Sequence, residues 1–246
     1  MKTFLKHFLK YYLKCATKIV LARHRPKIVA ISGSINKSFF KDAIKLDLEK
    51  KGLTVRANEK SFNTEIGLPL AILNLPSGYN SYKNWWPAVT GALVEIFRSN
   101  FPQVLILELG VSAPGDMKFL ISIARPDIAV ITDITQRYLE SFSDMDNLVN
   151  EYELLAQKTK REGVVILNAD NNRVRAISKK LKGRRVIFFG KSKESDWQII
   201  AAAKNERGQR ITVEHKREIF KYETNRFGEH HAYAYAASRA VGKAIE

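Results

Sequence analysis

Short apolar runs alternate with longer amphipathic stretches from residue 27 to the end of the chain. The runs are rich in β-branched and aliphatic residues, as buried strands are, and they cover residues 27–31, 104–109, 128–131, 164–167 and 186–189. The stretches between them place apolar residues at helical spacing over about 37–51, 115–124, 145–161 and 173–181. Strands that alternate with helices predict an α/β fold, a mostly parallel sheet flanked by helices on both faces.

The carboxyl-terminal part has a different pattern. Residues 197–224 contain shorter strand-like pieces with a turn over 205–208, and a final helix is predicted over about 230–245. Neither an internal repeat nor a low-complexity linker separates this part from the preceding one. We therefore expect one domain over residues 27–246.

The first 26 residues form a separate segment with a four-residue pattern, KTFL-KHFL-KYYL-KCAT-KIVL. A four-residue step advances about 400° on a helix, so each stripe drifts by only about 40° per step. The segment is therefore predicted to be an amphipathic helix with a basic face and an aromatic-aliphatic face. We divide the chain into this basic amphipathic helix, residues 1–26, and the α/β domain that follows.

Charge is concentrated in this leader. The net charge is +16, and residues 1–27 supply half of it, because they contain eight basic side chains and no Asp or Glu: Lys2, Lys6, Lys10, Lys14, Lys18, Arg23, Arg25 and Lys27. Three roles fit such a helix: packing on the following domain, lying on an anionic membrane surface through residues 2–21, or contacting nucleic acid. Nucleic acid is the least favoured, since no aromatic-rich basic motif continues into the domain.

Composition limits the remaining classes. A single cysteine, Cys15, excludes an internal disulfide framework and a cysteine-rich zinc site. The chain has no run of about 18 apolar residues, so we expect no membrane-spanning helix. The lysines that interrupt the leader also argue against a cleaved signal peptide. A cytoplasmic location, with the leader at the inner membrane face as a candidate, is the expectation.

The turn after the first strand contains the strongest chemical signal, the segment from Gly33 to Ser38. A phosphate-binding loop needs backbone N–H groups that point inward, a lysine for the β- and γ-phosphates and a hydroxyl for Mg²⁺ at the helix start. Gly33, Lys37 and Ser38 supply these in the right order. The position before the lysine is Asn36, and asparagine is among the least unfavourable non-glycine residues if φ is positive there.

Several segments together resemble the Mur ligases, and most closely the ligases that add D-alanyl-D-alanine to the peptidoglycan precursor. The resemblance covers about residues 27–245 and is carried by these segments: Ile31-Ser32-Gly33-Ser34-Ile35-Asn36-Lys37-Ser38, Glu59-Lys60-Ser61-Phe62-Asn63-Thr64-Glu65-Ile66-Gly67-Leu68-Pro69, Glu108-Leu109-Gly110, Pro114-Gly115-Asp116, Pro126-Asp127-Ile128-Ala129-Val130-Ile131-Thr132 and Leu167-Asn168-Ala169-Asp170.

The resemblance implies a P-loop NTPase-like central domain that uses ATP and Mg²⁺ to join an amine to a UDP-linked carboxylate through an acyl phosphate. Lys37 would contact the β- and γ-phosphates, and Ser38 and Glu108 would hold Mg²⁺. The loop around Gly33, Ser34 and Asn36 would bind the nucleotide phosphates. The substrate-side loop would act through Asn63, Thr64 and Gly67.

The chain departs from the family pattern at four positions. Asn36 replaces the glycine before the lysine. Tyr138 stands where a metal-contacting histidine is usual, and a phenol is a poor Mg²⁺ ligand at neutral pH. Glu151 replaces a carbamylated lysine and keeps its negative charge on a shorter side chain. In the adenine-site motif Gly228 and His230 are kept, but His231 and Ala234 replace both asparagines, and His231 could still hydrogen-bond or stack on a base.

The domain plan departs as well. The family has an N-terminal UDP-binding domain and a third, C-terminal domain, whereas here a basic helix comes first and the chain stops at Glu246. We expect either a truncated sequence or a central domain that works alone. The functional hypotheses are an amide-forming ATP-dependent ligase, a non-catalytic relative that binds nucleotide or a partner, and a small membrane-associated P-loop NTPase.

Overall fold

The computed structural model describes residues 2–58, 62–78 and 85–246. The strands are β1 Lys27–Ser32, β2 Val55–Ala57, β3 Val104–Leu109, β4 Ile128–Ile131, β5 Val164–Asn168, β6 Arg185–Gly190, β7 Trp197–Asn205, β8 Gly208–His215 and β9 Glu218–Thr224. The helices are α1 Lys2–His24, α2 Lys37–Lys50, α3 Gly67–Leu73, α4 Trp86–Phe97, α5 Asp116–Ile123, α6 Met145–Lys158, α7 Asn172–Ile177 and α8 Glu229–Ile245. Short 3-10 helices cover Leu139–Ser141 and Ser178–Lys180.

Within the described residues the strands form one nine-stranded sheet in the order β2-β3-β1-β4-β5-β6-β7-β8-β9. Strands β1 to β7 run parallel, and β8 pairs antiparallel with both β7 and β9. Both faces of the central strands are covered. Ile28 and Ala30 of β1 face one apolar cluster, and Val29 and Ile31 face the other. The predicted parallel sheet with flanking helices is confirmed.

Each face is covered by its own helices. On one side α2 packs against α8, and Phe40, Ile44 and Val241 are buried between them and the sheet. On the other side α5 and α6 bury residues that include Leu120 and Tyr152. Because β1 lies between β3 and β4, the carboxyl end of β1 opens inside the sheet and not at its edge.

The sequence pattern did not reveal β2, α3 or α4. Strand β2 has three residues, all half-buried. Helix α4 reads WPAVTGALVEIF and has apolar residues around most of its circumference, so it lacks the polar face that marks an amphipathic helix. The outer side of α4 is exposed and still apolar.

Helix α1 packs by its inner face on α3 and α4. Leu13 and Val20 are fully buried in a cluster that includes Leu73 of α3 and Ala88 of α4. The structure therefore shows the packed-helix arrangement, whereas the domain boundary at residue 26 stays a prediction. Among the residues described, no helix combines the length and apolar character needed to cross a membrane.

The buried face of α1 predicts a stability test. Leu13→Ala removes a fully buried side chain and should lower the free energy of unfolding by about 2–5 kcal/mol, because it leaves a cavity between α1 and the domain. Ile19→Ala, on the exposed face of the same helix, should cost much less. Urea unfolding measures both variants. Equal losses would show that α1 does not pack as described.

Candidate functional site

The loop between β1 and α2 lies at the centre of the candidate site. Strand β1 ends at Ser32 and α2 begins at Lys37, so the loop covers residues 33–36. After β1 the chain forms β2 and β3 on one side of β1, and it then crosses to form β4 on the other side. In open parallel sheets such a change of direction creates a crevice beyond the carboxyl ends of the strands, where ligands bind.

The loop is held against the end of β4. Gly33 has φ +145°, and a Cβ atom there would lie 2.1 Å from Oγ1 of Thr132, so no other residue fits. The Ser34 backbone N–H donates to the Asp133 carbonyl at 2.7 Å. The Thr132 hydroxyl donates to the Ile35 carbonyl at 2.8 Å. These contacts fix the path of the loop before any ligand binds.

Asn36 has left-handed backbone geometry, with φ 66° and ψ 0°. The position before the lysine therefore does require positive φ, which asparagine tolerates better than most residues. The Asn36 carbonyl accepts from the Phe39 N–H at 3.0 Å and so begins α2. No side chain caps this end of the helix, which leaves its first N–H groups directed at the crevice.

Lys37 turns back over this loop. Its Nζ donates to the Gly33 carbonyl at 2.7 Å, so the ammonium group lies across the mouth of the loop. Burial lowers the pKa of Lys37, the nearby Glu108 carboxylate opposes that shift, and Arg137 adds to it. A positive charge that is partly removed from water is well placed to attract an anion.

Glu108 lies next to the loop, near the carboxyl end of β3 and directly across from Ile31 of β1. It is buried and forms an ion pair with the buried Lys41, whose Nζ lies 3.1 Å from Oε1. The Ser38 hydroxyl donates to Oε2 at 3.4 Å, a long hydrogen bond. The structure thus brings together Lys37, Ser38 and Glu108, three of the predicted site residues, and their roles stay a prediction.

These donors fit a magnesium ion that arrives with phosphates. Carboxylate and hydroxyl oxygens are hard ligands, and the buried Oε1 of Glu108 has only the Lys41 ammonium at 3.1 Å as an ionic partner and accepts no well-aligned hydrogen bond from the described residues. The part of the chain that the structure describes has no cluster of three or more His, Cys, Asp or Glu that could hold a metal. Ser38 and Glu108 would therefore share the ion with a ligand rather than enclose it.

Glu151 makes a different set of contacts from the one expected of a metal-site residue. One carboxylate oxygen accepts from the Gly115 N–H at 2.7 Å and the other from the Met117 N–H at 2.8 Å. The side chain thereby caps the first turn of α5, where a negative charge is favourable. Its catalytic role stays a prediction, and in this arrangement both oxygens already serve α5.

A cavity of about 410 Å³ opens on the Lys37 side of the loop. Asn63 and Thr64 of the predicted substrate loop line it together with Lys37 and Tyr138. The Gly110 N–H donates to the Asn63 carbonyl at 2.9 Å, which joins this loop to the end of β3.

Gly67, the third residue predicted in that loop, begins α3 instead of lining the cavity. A Cβ on Gly67 would lie 2.9 Å from Cα of Phe62, so the turn needs glycine for close packing. Residues 59–61 of the loop lie outside the described residues.

Helix α1 also reaches this cavity, a contact that the sequence did not predict. Glu65, which lines the cavity, forms an ion pair with Lys10 of α1. Lys10 also lies over the ring of Phe119 in α5, 3.9 Å from its centroid. The leader helix thus touches the wall of the candidate site.

A second cavity, of about 280 Å³, lies on the Asn36 side of the loop. It is lined by two carboxylates at strand ends, Asp133 and Asp170, and by Tyr233 of α8. The Tyr233 hydroxyl donates to Asp170 at 2.8 Å, and burial, with this bond, raises the pKa of Tyr233 far above its ordinary value. Burial also raises the pKa of Asp133, although Asn171 and Asn168 oppose the shift. Neither acid was predicted as a site residue, although Asp170 ends one of the family-like segments, and the available signal was their position two residues after a strand.

The rings of the two histidines lie 4.3 Å apart between centroids, but they line different pockets. His230 lines the second cavity with Asn36, and its ring centroid lies 4.1 Å from that of Phe39. His231 faces a different groove on the outer side of α2 and α8. Burial, with the charges of His230 and Arg226, lowers the pKa of His231. Of the pair, His230 is the one placed beside the loop.

Comparisons with known proteins match this architecture. A model described as "Mur ligase middle domain" matches residues 88–242. The UDP-N-acetylmuramoyl-tripeptide–D-alanyl-D-alanine ligase of Rickettsia prowazekii is 26% identical over 179 residues, which cover 72% of this chain and 34% of that protein. The chain thus spans about a third of the length of the curated relatives it matches.

Solved structures give the same likeness in fold. A crystal structure of MurF from Acinetobacter baumannii superposes with a TM-score of 0.78 at 16% identity, over 96% of this chain and 47% of that one. The MurF ligase of Thermotoga maritima, solved in complex with ADP, gives a TM-score of 0.76 at 21% identity, over 96% and 49%. Because the model of the Mur ligase middle domain matches well over half of the 246 residues, this chain belongs to the Mur ligase family.

Proposed function

We propose that this chain is the nucleotide-binding and phosphoryl-transfer domain of an ATP-dependent, amide-forming ligase of the Mur type. The observation that carries the proposal is the convergence of Lys37, Ser38 and Glu108 at the end of β1, between two cavities. Family membership supports it, as does the ADP complex of the Thermotoga maritima relative.

The two cavities suggest how ATP would lie. The β- and γ-phosphates would contact the Lys37 ammonium and the uncapped N–H groups of α2. The nucleoside would extend past Asn36 into the second cavity, where Asp133 and Asp170 offer hydrogen-bond acceptors to the ribose and His230 offers a ring to the base. Ser34 and Gly33 would shape the phosphate loop from below.

Magnesium would be held by Ser38 and Glu108 and would neutralise charge on the transferred phosphoryl group. Lys37 adds a second positive charge at the same place. Most of the catalytic effect in phosphoryl transfer comes from such positioning and charge stabilisation, and these residues would supply both in the first half-reaction.

The carboxylate substrate would enter the cavity lined by Asn63 and Thr64. Its oxygen would attack the γ-phosphorus, ADP would leave, and an acyl phosphate would form. The incoming amine would then attack the acyl carbon, phosphate would leave, and the amine would lose a proton. A UDP-linked peptidoglycan precursor is the substrate class that the family suggests, and an amino acid or dipeptide would supply the amine.

A second candidate function is nucleotide binding without turnover. The contacts of Glu151 favour it, because both of its oxygens bind α5 amides instead of facing a metal. Measuring ADP release with a UDP-linked acceptor and an amine separates the two candidates. A ligase domain forms at most about one equivalent of ADP with the acceptor alone and accumulates ADP over many turnovers only when the amine is also present, whereas a binding relative releases none.

We also propose that α1 contacts an anionic membrane surface. Its packed inner face leaves Phe8, Tyr11 and Ile19 exposed beside the exposed cation Lys18. Apolar side chains next to lysines are typical of helices that lie in the plane of a membrane surface. This contact would place the domain at the inner, cytoplasmic face of a membrane.

The phosphate site can be tested by calorimetry with Mg-ATP. Lys37→Ala should weaken binding by about tenfold or more, equivalent to about 1.4 kcal/mol, because it removes the charge across the mouth of the loop. Lys45→Ala, on the exposed side of the same helix, removes an equal charge away from the loop and should bind as the parent does. Equal affinity of the parent and Lys37→Ala, or no binding by either, contradicts the proposed site.

Asn36 offers a test of the altered loop. Asn36→Gly keeps positive φ available and removes a side chain that lines the nucleotide-side cavity, so Mg-ATP should bind several-fold more tightly. Asn74→Gly makes the same exchange at another left-handed asparagine, at the end of α3, and should leave the affinity unchanged. If both variants bind as the parent does, the Asn36 side chain does not obstruct the nucleotide.

The lowered pKa of Lys37 predicts a pH dependence. Bound phosphate stabilises the ammonium form, so affinity should fall once the pH exceeds the pKa of Lys37 in the free protein. Since burial lowers that pKa, the decline should begin below the ordinary lysine value of about 10.4. Lys37→Arg should show no such decline, because arginine stays protonated. Parallel profiles for the two proteins would assign the decline to another group.

A further inference from the structure

The exposed apolar side chains of the protein are concentrated on two neighbouring helices. Of the twelve large apolar side chains that the described part of the chain exposes, seven lie on α1 and α4. Helix α1 contributes Phe8, Tyr11 and Ile19, and α4 contributes Trp86, Leu93, Val94 and Phe97. The largest exposures are those of Phe97, at 74%, and Trp86, at 70%. These side chains lie outside the hydrophobic core, so packing of the core does not explain why they are apolar.

The α4 residues form one stripe. Positions 86, 93, 94 and 97 follow helical spacing, so their side chains lie along one side of the helix. The opposite side carries Ala88 and Ala92, which are fully buried against α1 and α3. Helix α4 therefore uses its small residues for packing and directs its large apolar residues to solvent, the reverse of the usual arrangement.

The α1 stripe lies beside that of α4. The Tyr12 hydroxyl donates to the Val89 carbonyl of α4 at 2.7 Å, which fixes the two helices side by side. The Phe8 ring stacks on Tyr12 with a centroid distance of 6.3 Å. Since both helices bury their inner faces in the same apolar cluster, their outer faces point away from the same core.

The charges around this surface match an anionic partner. Residues 1–27 have no acidic side chain. The one carboxylate of α4, Glu95, is buried and forms an ion pair with Arg98 at 3.2 Å. Lys6 and Lys18 are exposed on α1. The surface thus combines tryptophan, phenylalanine and tyrosine with lysine and exposes no carboxylate, a composition suited to the interfacial region of an anionic bilayer.

We infer that α1 and α4 together form a two-helix membrane-docking surface, to which α4 supplies the larger part of the inserted apolar side chains. The inference rests on the membrane contact proposed above for α1 and extends it to a helix outside the basic leader. The occupant is the surface of a bilayer that contains anionic lipid. Docking of this kind would hold the Lys37 cavity close to the membrane, because Lys10 of α1 pairs with Glu65 in the cavity wall.

The test is co-sedimentation of the full chain with vesicles. Mixed phosphatidylcholine and phosphatidylglycerol vesicles provide the anionic surface, and pure phosphatidylcholine vesicles provide the neutral one. The α4 arm is the double variant Trp86→Ser/Phe97→Ser, and the α1 arm is Phe8→Ser/Ile19→Ser. The matched control is Ile200→Ser/Ile219→Ser, which removes two side chains of 49% and 52% exposure from β7 and β9. Thermal unfolding checks that each variant is folded.

The parent should sediment with anionic vesicles and much less with neutral ones. The α4 variant should bind at least about tenfold more weakly, since it loses two aromatic side chains that would leave water. The α1 variant should also bind more weakly, and the control should bind as the parent does.

Other outcomes overturn the inference in distinguishable ways. If the α1 variant loses binding and the α4 variant does not, the α4 half is wrong and the contact of α1 stands. If the parent binds neither kind of vesicle, the membrane contact itself is wrong. If the parent self-associates in vesicle-free solution and the α4 variant does not, the surface joins two copies of the chain rather than docking on lipid.

Discussion

Close packing of the β1–α2 loop on the end of β4 is the constraint on which the candidate site depends. Gly33 lies so near Thr132 that a methyl group could not be added, and the Ser34 N–H binds the neighbouring Asp133 carbonyl. The loop therefore cannot move away from β4 without losing both contacts. This fixed path sets the start of α2, and the start of α2 sets the positions of Lys37 and Ser38 relative to Glu108.

On the Lys37 side of the loop the charges are unbalanced in a way that suits an anion. Two lysines, Lys37 and Lys41, face a single buried carboxylate, Glu108. Lys41 and Glu108 can form a neutral pair, and the ammonium group of Lys37 remains near a helix start whose N–H groups carry partial positive charge. A magnesium ion alone would add further positive charge. We therefore expect a polyanion such as the phosphates of ATP to bind together with the metal, because the described residues offer few metal ligands of their own.

The sequence was informative where function depends on local order along the chain. The strand, turn and helix around Gly33–Ser38 and the acid at the end of β3 were predictable, because apolar runs mark strand ends and family resemblance marks Glu108. Contacts between segments that are distant in the sequence could not be predicted. The Lys41–Glu108 pair, the Tyr233–Asp170 bond and the capping of α5 by Glu151 depend on strand order and helix packing. Helix α4 was missed because its apolar residues leave no polar face in the pattern.

The leader shows why the pattern alone could not choose between a packed helix and a membrane-surface helix. Its apolar residues come in adjacent pairs, and neighbours on a helix are about 100° apart. Leu9 and Leu13 turn inward to the cluster with α3 and α4, whereas Phe8 turns outward. One member of such a pair thus packs in the core, and the other stays exposed and is available for contact with a membrane surface. The sequence presented the two roles as alternatives, but they are compatible on opposite sides of the same helix. Helix α4 extends the exposed apolar side of α1 with residues that lie outside the four-residue repeat of the leader.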